Sequence, residues 1–308
     1  MRIFVTGTSG WIGSAVVPEL ISHGHQVLAL ARSDASAAAV LRAGAAVLRG
    51  DLEDVGLLRK AAEETDAVIH LAYRHDLGQI GGADADAGAI RAFLDAAAGT
   101  DKRVIVTGAT ITTPGRAATE EDPLTPVGPI AARIENLRNA LAAAQDGANV
   151  SLVMIPRTVH GEGERHGFVP QLIARARQNG FSGYVGDGSN RWPAVHVSDA
   201  AVLYRLAVES APAGSVLHAV GEEGVRVRDI AEAIGRHLGL PAESRPQPEF
   251  GMPLGALLGT DMPASSALTR NLLGWEPTHV TLLEDIDLGH YFASESDEGI
   301  PRDAARVD

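Results

Sequence analysis

The sequence predicts a doubly wound parallel α/β fold, and three observations carry that expectation. Short β-rich apolar runs, RIFVT, QVLALA, AVLRG, AVIHLA, RVIVTG and VSLVMI, alternate with longer amphipathic stretches. The runs lack the polar alternation of a half-exposed strand, as strands covered on both faces do. A turn carrying three glycines at regular spacing follows the first run and leads into a helical pattern.

The first run ends at Thr6, and the turn reads Gly7-Thr8-Ser9-Gly10-Trp11-Ile12-Gly13. Gly7 allows the tight turn, Gly10 lets a pyrophosphate approach the backbone, and Gly13 lets helix and strand pack closely. The amides of this turn and the helix dipole hold the anion. Helices are expected over 11–23, 34–43, 54–64, 84–99, 130–145, 168–179, 199–210 and 227–238.

The second run ends in LALARSD. Arg32 and Ser33 stand where an acid binds the ribose 2'-hydroxyl of NAD, and Asp34 follows. A guanidinium with a hydroxyl suits a dianionic phosphate, so NADP is expected over NAD. The other reading is a solvated Arg32 with Asp34 as the acid. After the third run, Asp51 and Leu52 flank the adenine, or Asp51 caps a helix. The fourth, HLAYRHD, brings Leu71, Ala72 and Tyr73 toward the nicotinamide half, with His75 close by. After the fifth, Thr107 borders the cofactor and Thr110 is the candidate hydroxyl for polarising a substrate carbonyl. Thr110 also fits a β residue satisfying a turn.

Past Val159 the rhythm loosens into HGEGERHG, GDGSNRWP and RPQPEFGMP, with two short strands, AVHV and SVLHAV. Residues 1–160, with 193–222 returning to them, form the dinucleotide-binding domain. Residues 161–192 and 223–292 form a smaller substrate-side lobe, and 293–308 a polar tail. His160 lies on the loop after the sixth run, where its unperturbed pKa of about 6.5 suits proton transfer; a backbone-bonded loop histidine is the alternative. His166, Tyr184, Arg191 and Trp192 come from the lobe loops toward the substrate. Arg191 either clamps an anion or makes a surface ion pair, and Trp192 either stacks or anchors packing. His196 is expected to be structural, before a helix capped by Ser198. The separations of His160, His166 and His196 fit no compact metal motif, so no metal is expected.

The 308 residues are 45% apolar with a net charge of -13, enough for a full core and unfavourable for nucleic acid or an anionic membrane. There is no cysteine, which excludes disulfides, thiolate metal sites and cysteine nucleophiles. The opening MRIFVTG runs directly into a strand without a leader, and no apolar run is long enough to span a bilayer, so a cytoplasmic address is expected.

On the glycine turn, the GDL after the third run, IPRTVHGEG, GDGSNRWPAVHVSDAA and SSALTRNLLGWEP, the chain resembles the extended, epimerase/dehydratase-like branch of the short-chain dehydrogenase/reductase superfamily. The resemblance spans nearly the whole chain and implies a Rossmann domain with a small C-terminal substrate lobe. It also implies a homodimer through helices on the sheet's outer face. The family's chemistry uses a tyrosine, a lysine four residues later and a serine or threonine. Here the lysines are Lys60 and Lys102, and Gly56 and Ala98 stand four residues before them. The chain therefore has no Tyr-x-x-x-Lys, and the expected region runs from Val127 to Arg133, with Glu135 keeping an acidic position beyond it.

The expected function is an NADP-dependent oxidoreductase acting on a small carbonyl or activated alkene, with Thr110, His160 and Tyr73 in place of the missing dyad. A non-catalytic NADP-binding redox sensor is the alternative. A sugar-nucleotide epimerase or dehydratase is disfavoured, because those reactions remove a proton reversibly from a hydroxyl.

Overall fold

Strands whose side chains are apolar on both faces need cover on both faces, and that requirement fixes the architecture. The computed structural model describes residues 1–293. Its first six strands are Arg2–Thr6 (β1), Gln26–Ala31 (β2), Ala46–Arg49 (β3), Ala67–His70 (β4), Arg103–Ala109 (β5) and Val150–Ile155 (β6). Shorter ones follow at Thr158–His160 (β7), Ser182–Tyr184 (β8), Arg191–His196 (β9), Val216–His218 (β10), Glu222–Arg226 (β11) and Ala242–Ser244 (β12). The seven-stranded parallel sheet has the order β10-β6-β5-β4-β1-β2-β3. Strand order reverses between β1 and β4, and a doubly wound sheet binds ligands in the crevice beyond the carboxyl ends at such a reversal. In register there, Thr6 pairs with His70, and His70 with Val106.

The helices are Trp11–Ser22 (α1), Asp34–Arg42 (α2), Val55–Glu63 (α3), Gly78–Ala97 (α4), Ala131–Gln145 (α5), Phe168–Asn179 (α6), Val197–Ser210 (α7), Val227–Leu238 (α8), Leu254–Leu258 (α9), Ala267–Leu273 (α10) and Leu282–Asp287 (α11). Successive residues of a strand feed opposite cores. Ile3 and Val5 join one with Val16, Leu20, Tyr204 and Trp275, while Phe4 joins the other with Leu58, Phe93, Leu137 and Leu152. Each of the aliphatic and phenylalanine side chains contributes about 1.5–3 kcal/mol on burial.

Local chemistry explains where the elements begin and where they depart from expectation. Helix α4 starts at Gly78, earlier than the periodicity predicts, because its glycines serve packing. A Cβ on Gly82 would stand 2.8 Å from the Arg74 carbonyl oxygen and 2.9 Å from the Tyr73 ring. Helix α7 is capped by His196, whose Nδ1 accepts the Ser198 N–H at 3.2 Å; Ser198 lies inside the helix and is not the cap. The SVLHAV segment supplies β10 and extends the main sheet.

The chain divides into two compact units. The first comprises residues 1–159, 191–225 and 261–281, and the second 160–190, 226–260 and, among the described residues, 282–293; the polar tail expected over 293–308 lies outside the described residues from 294. Residues 261–281, expected in the lobe, pack with the first unit: the fully buried Trp275 donates from Nε1 to the Asp199 carbonyl oxygen at 3.0 Å. Asp199 in turn accepts the backbone N–H groups of Thr278 and His279 at 3.0 and 3.1 Å. In the second unit, α6, α8 and the parallel pair β8–β12 pack together.

Candidate dinucleotide and proton-donor site

The glycine turn is built to meet an anion. Gly7 has φ 74°, a left-handed conformation, and a Cβ there would stand 2.7 Å from Ala72 N. A Cβ on Gly13 would run into the Gly7 carbonyl oxygen, so the start of α1 sits directly on the turn. Gly10 is exposed and is the N-cap of α1, which has no side-chain cap and no acid in its first turn. The amides of Trp11, Ile12 and Gly13 thus form an uncapped positive helix end, the requirement for holding a pyrophosphate. Trp11 anchors the turn by donating from Nε1 to the Val159 carbonyl oxygen at 2.8 Å. Thr8 is buried against Leu30, Ile12 packs into the core, and Ser9 is exposed. The residues present therefore fit a dinucleotide.

Two guanidiniums, Arg32 after β2 and Arg74 after β4, share the acids Asp51 and Asp76. Arg32, 58% exposed, lies 3.4 Å from Asp76 and 4.0 Å from Asp51. Arg74 is far more enclosed and bonds Asp51 at 2.6 Å, Glu53 at 2.8 Å and Asp76 at 2.8 Å. Its hydrogen bond draws the Asp76 carboxyl down to about 2. Sequence reading missed Arg74, which no motif marks. Ser33 caps α2, its hydroxyl accepting the Ser36 N–H at 3.1 Å, and Asp34 pairs with Arg49 at 2.7 Å. Helix α3 is capped by Asp54, while Asp51 is held by Arg74; Leu52 is buried.

Tyr73 stands just past β4, half-buried, with the exposed His75 ring 4.8 Å from its own. Arg133, in the first turn of α5, places its guanidinium carbon 4.3 Å from the Tyr73 ring centroid. The same guanidinium reaches the Thr107 carbonyl oxygen at 3.5 Å through Nη2, and its buried Nε has no hydrogen-bond partner. Burial raises the Tyr73 pKa; Arg133 opposes that and the Asp86 charge adds to it. The Thr107 hydroxyl is committed to the core, 2.8 Å from the Tyr204 hydroxyl. Thr110 is partly exposed at the end of β5, its N–H donated to the Ile155 carbonyl oxygen at 2.9 Å. Val127 is 63% exposed, and Glu135 pairs with Arg138 on the surface at 3.0 Å. Arg133 is the cation that sequence reading passed over; its place in the first turn of α5 was the available signal.

His160 belongs to the second unit. It is 1% exposed within the second unit, with Nδ1 3.0 Å from Asp285. Burial works against the Asp285 charge, yet hydrogen bonds from His160 and His290 bring its carboxyl down to about 2. Tyr291 donates to Glu164 at 2.9 Å, and burial pushes the Glu164 carboxyl up to about 8. His166 is exposed, and Tyr184 lies under Arg228 at 5.7 Å. Arg191 is held by Asp261 at 2.9 and 3.1 Å, an ion pair rather than an open clamp. Trp192 is fully buried and serves packing, not stacking on a ligand. Among the described residues no group of three His, Asp or Glu is arranged to hold a metal ion, and no helix is long and apolar enough to cross a membrane.

The family model for the NAD dependent epimerase/dehydratase family matches residues 3–219. An uncharacterized protein of Schizosaccharomyces pombe is 42% identical over 299 residues, covering 95% of this chain and 100% of that protein. The 2-alkyl-3-oxoalkanoate reductase of Stenotrophomonas maltophilia is 30% identical over 261 residues, covering 78% and 77%. The crystal structure of dTDP-glucose 4,6-dehydratase from Bacillus anthracis in complex with NAD has the same fold, with TM-score 0.75 and 18% identity over 93% of this chain and 96% of that one. With the glycine turn, the sheet order and the family match in agreement, the chain belongs to the NAD dependent epimerase/dehydratase family, an NAD(P)-binding branch of the extended short-chain dehydrogenases/reductases.

Proposed function

We propose that the protein is an NADPH-dependent reductase of a small organic carbonyl, with Tyr73 as proton donor and Thr110 as the hydroxyl that orients the substrate oxygen. The observation that carries this reading is the Arg133 guanidinium over the Tyr73 ring, 4.3 Å from its centroid, at the carboxyl edge of β4. A phenol held protonated by burial is a donor, and a fixed cation against its face stabilises the phenolate left after transfer. The reduced nicotinamide supplies the hydride. The chain's own residues hold the dinucleotide at Gly7–Gly13, align the carbonyl against Thr110, and deliver a proton from Tyr73 Oη to its oxygen. Tyr73 then regains a proton from solvent.

Preference for NADPH rests on Arg32 and Arg74. Arg32 is exposed enough to turn from Asp76 to a ribose 2'-phosphate, and Arg74 occupies the competing carboxylates. A reductase among the relatives at 30% identity supports the direction of the reaction. His160 is left out of the catalytic set because its ring is enclosed and bonded to Asp285. The test is a fluorescence titration with NADPH and NADH, followed by a panel of aldehydes, ketones and 3-oxo acids monitored for NADPH oxidation. Turnover supports the reading. Tight binding with no turnover on any carbonyl favours a redox sensor, and it sinks the reductase.

A further inference from the structure

A chain of buried polar side chains crosses the first unit beneath the residues just described. Its members come from four elements: Thr6 on β1, His70 on β4, Asp86 in α4 and Asn136 in α5. Thr6 Oγ1 lies 2.7 Å from His70 Nδ1, and His70 Nε2 lies 3.2 Å from Asp86 Oδ1. Asn136 Nδ2 donates to Asp86 Oδ2 at 3.0 Å and to the Ala83 carbonyl oxygen at 2.8 Å. Thr6, His70 and Asp86 are at most 2% exposed. A carboxylate only accepts, so Nε2 of His70 carries a proton toward Asp86, and Nδ1 shares a hydrogen bond with the Thr6 hydroxyl.

Both ends of this chain reach something the proposed function needs. Thr6 precedes Gly7, and its Oγ1 also accepts the Ala72 N–H at 3.2 Å. Ala72 N is the atom nearest the missing Cβ of Gly7, so this end holds the lip of the dinucleotide turn. Asn136 stands three residues after Arg133 on α5, roughly one helical turn away. A buried carboxylate between two hydrogen-bonded partners is a costly way to fill a core whose neighbours, such as Phe93, are apolar. It is well suited to fixing one geometry.

We propose that His70, Asp86 and Asn136 are positioning residues, a relay that ties the dinucleotide turn to α5 and sets the Arg133–Tyr73 pair against the bound cofactor. This rests on the dinucleotide reading above. The relay is satisfied at every link from Thr6 to Asn136, so removing one link leaves a buried donor or acceptor unmet and loosens both ends.

The test is a double-mutant cycle on NADPH affinity with Thr6→Val and Asn136→Leu, using Asn136→Ala should the leucine variant fold poorly. Melting temperature and imidazole ¹⁵N spectra are recorded on the same samples. Asn136→Leu is expected to raise the NADPH Kd about fivefold or more although Asn136 bonds no residue of the turn, and to move the His70 ring resonances. The double variant is expected to lose less than the product of the single losses. An unchanged NADPH Kd with only a lower melting temperature overturns the positioning role and leaves the dinucleotide reading intact, and strictly multiplicative losses do the same. Wild-type protein that binds neither NADPH nor NADH overturns both.

Discussion

The guanidinium of Arg133 lies over the ring of Tyr73, 4.3 Å from its centroid, and joins a cation on α5 to a phenol just past β4. Sixty positions of sequence separate the two residues, and neither belongs to a local motif. The arrangement brings a fixed positive charge to a tyrosine in a chain that has no Tyr-x-x-x-Lys.

Replacing Arg133 tests this arrangement. Arg133→Met is expected to lower kcat by about 10²-fold, within the range for general acid catalysis, with little change in NADPH affinity. Arg133→Lys, which keeps the charge but not the planar stacking, is expected to recover part of the loss. A pH profile of kcat for Arg133→Met should show the Tyr73 ionisation displaced upward, because the opposing cation is gone.

Cofactor choice is expected to follow Arg32. Arg32→Ala should raise the Kd for NADPH about tenfold or more and leave that for NADH nearly unchanged, since the lost charge-assisted bonds serve only the 2'-phosphate. Parallel fluorescence titrations with the two dinucleotides decide this. Equal losses for both mean that Arg32 holds the loop rather than the phosphate.

The hydroxyl pair Thr107–Tyr204, 2.8 Å apart in the core, predicts a stability pattern. Thr107→Val strands the Tyr204 hydroxyl and should cost about 1–3 kcal/mol by urea unfolding. The double variant Thr107→Val with Tyr204→Phe should recover most of that, because both polar partners are then removed together.

Glu164 makes stability pH-dependent. Its folded-state carboxyl is raised by burial from the ordinary 4.5 to about 8, so the folded chain keeps a proton that the unfolded chain releases between those values. Stability from this group is full below about pH 4.5 and declines as pH rises toward 8, by at most about 1.4 kcal/mol per pH unit, then levels off. Melting curves from pH 5 to 9 for wild type and Glu164→Gln check this. The difference in slope should vanish if Tyr291 does not keep Glu164 buried.

The fold was legible because strand burial and helix amphipathicity leave local signatures. The six long runs became β1 to β6, and most helix bounds fell within a residue or two of expectation. Where reading failed, the cause was non-local. The helix expected over 84–99 begins at Gly78, and Gly82 within its added turns packs against Arg74 and Tyr73. Strands of three residues such as β7 and β8 exist through pairing partners far along the chain. In the candidate site, the glycine turn shows in the spacing of Gly7, Gly10 and Gly13, and Arg32 in its place after β2. Arg74 and Arg133 do not show in this way, because each is defined by the acids or ring it meets across the fold. His160 looked catalytic from its loop, and only the structure places Asp285 beside it.

The most direct test of the account is single-turnover oxidation of bound NADPH by a carbonyl substrate, compared between wild type and Tyr73→Phe. The account predicts the same NADPH Kd for both proteins and a turnover lower by about 10²-fold or more in the variant. Tyr73→Phe turning over at the wild-type rate would contradict it.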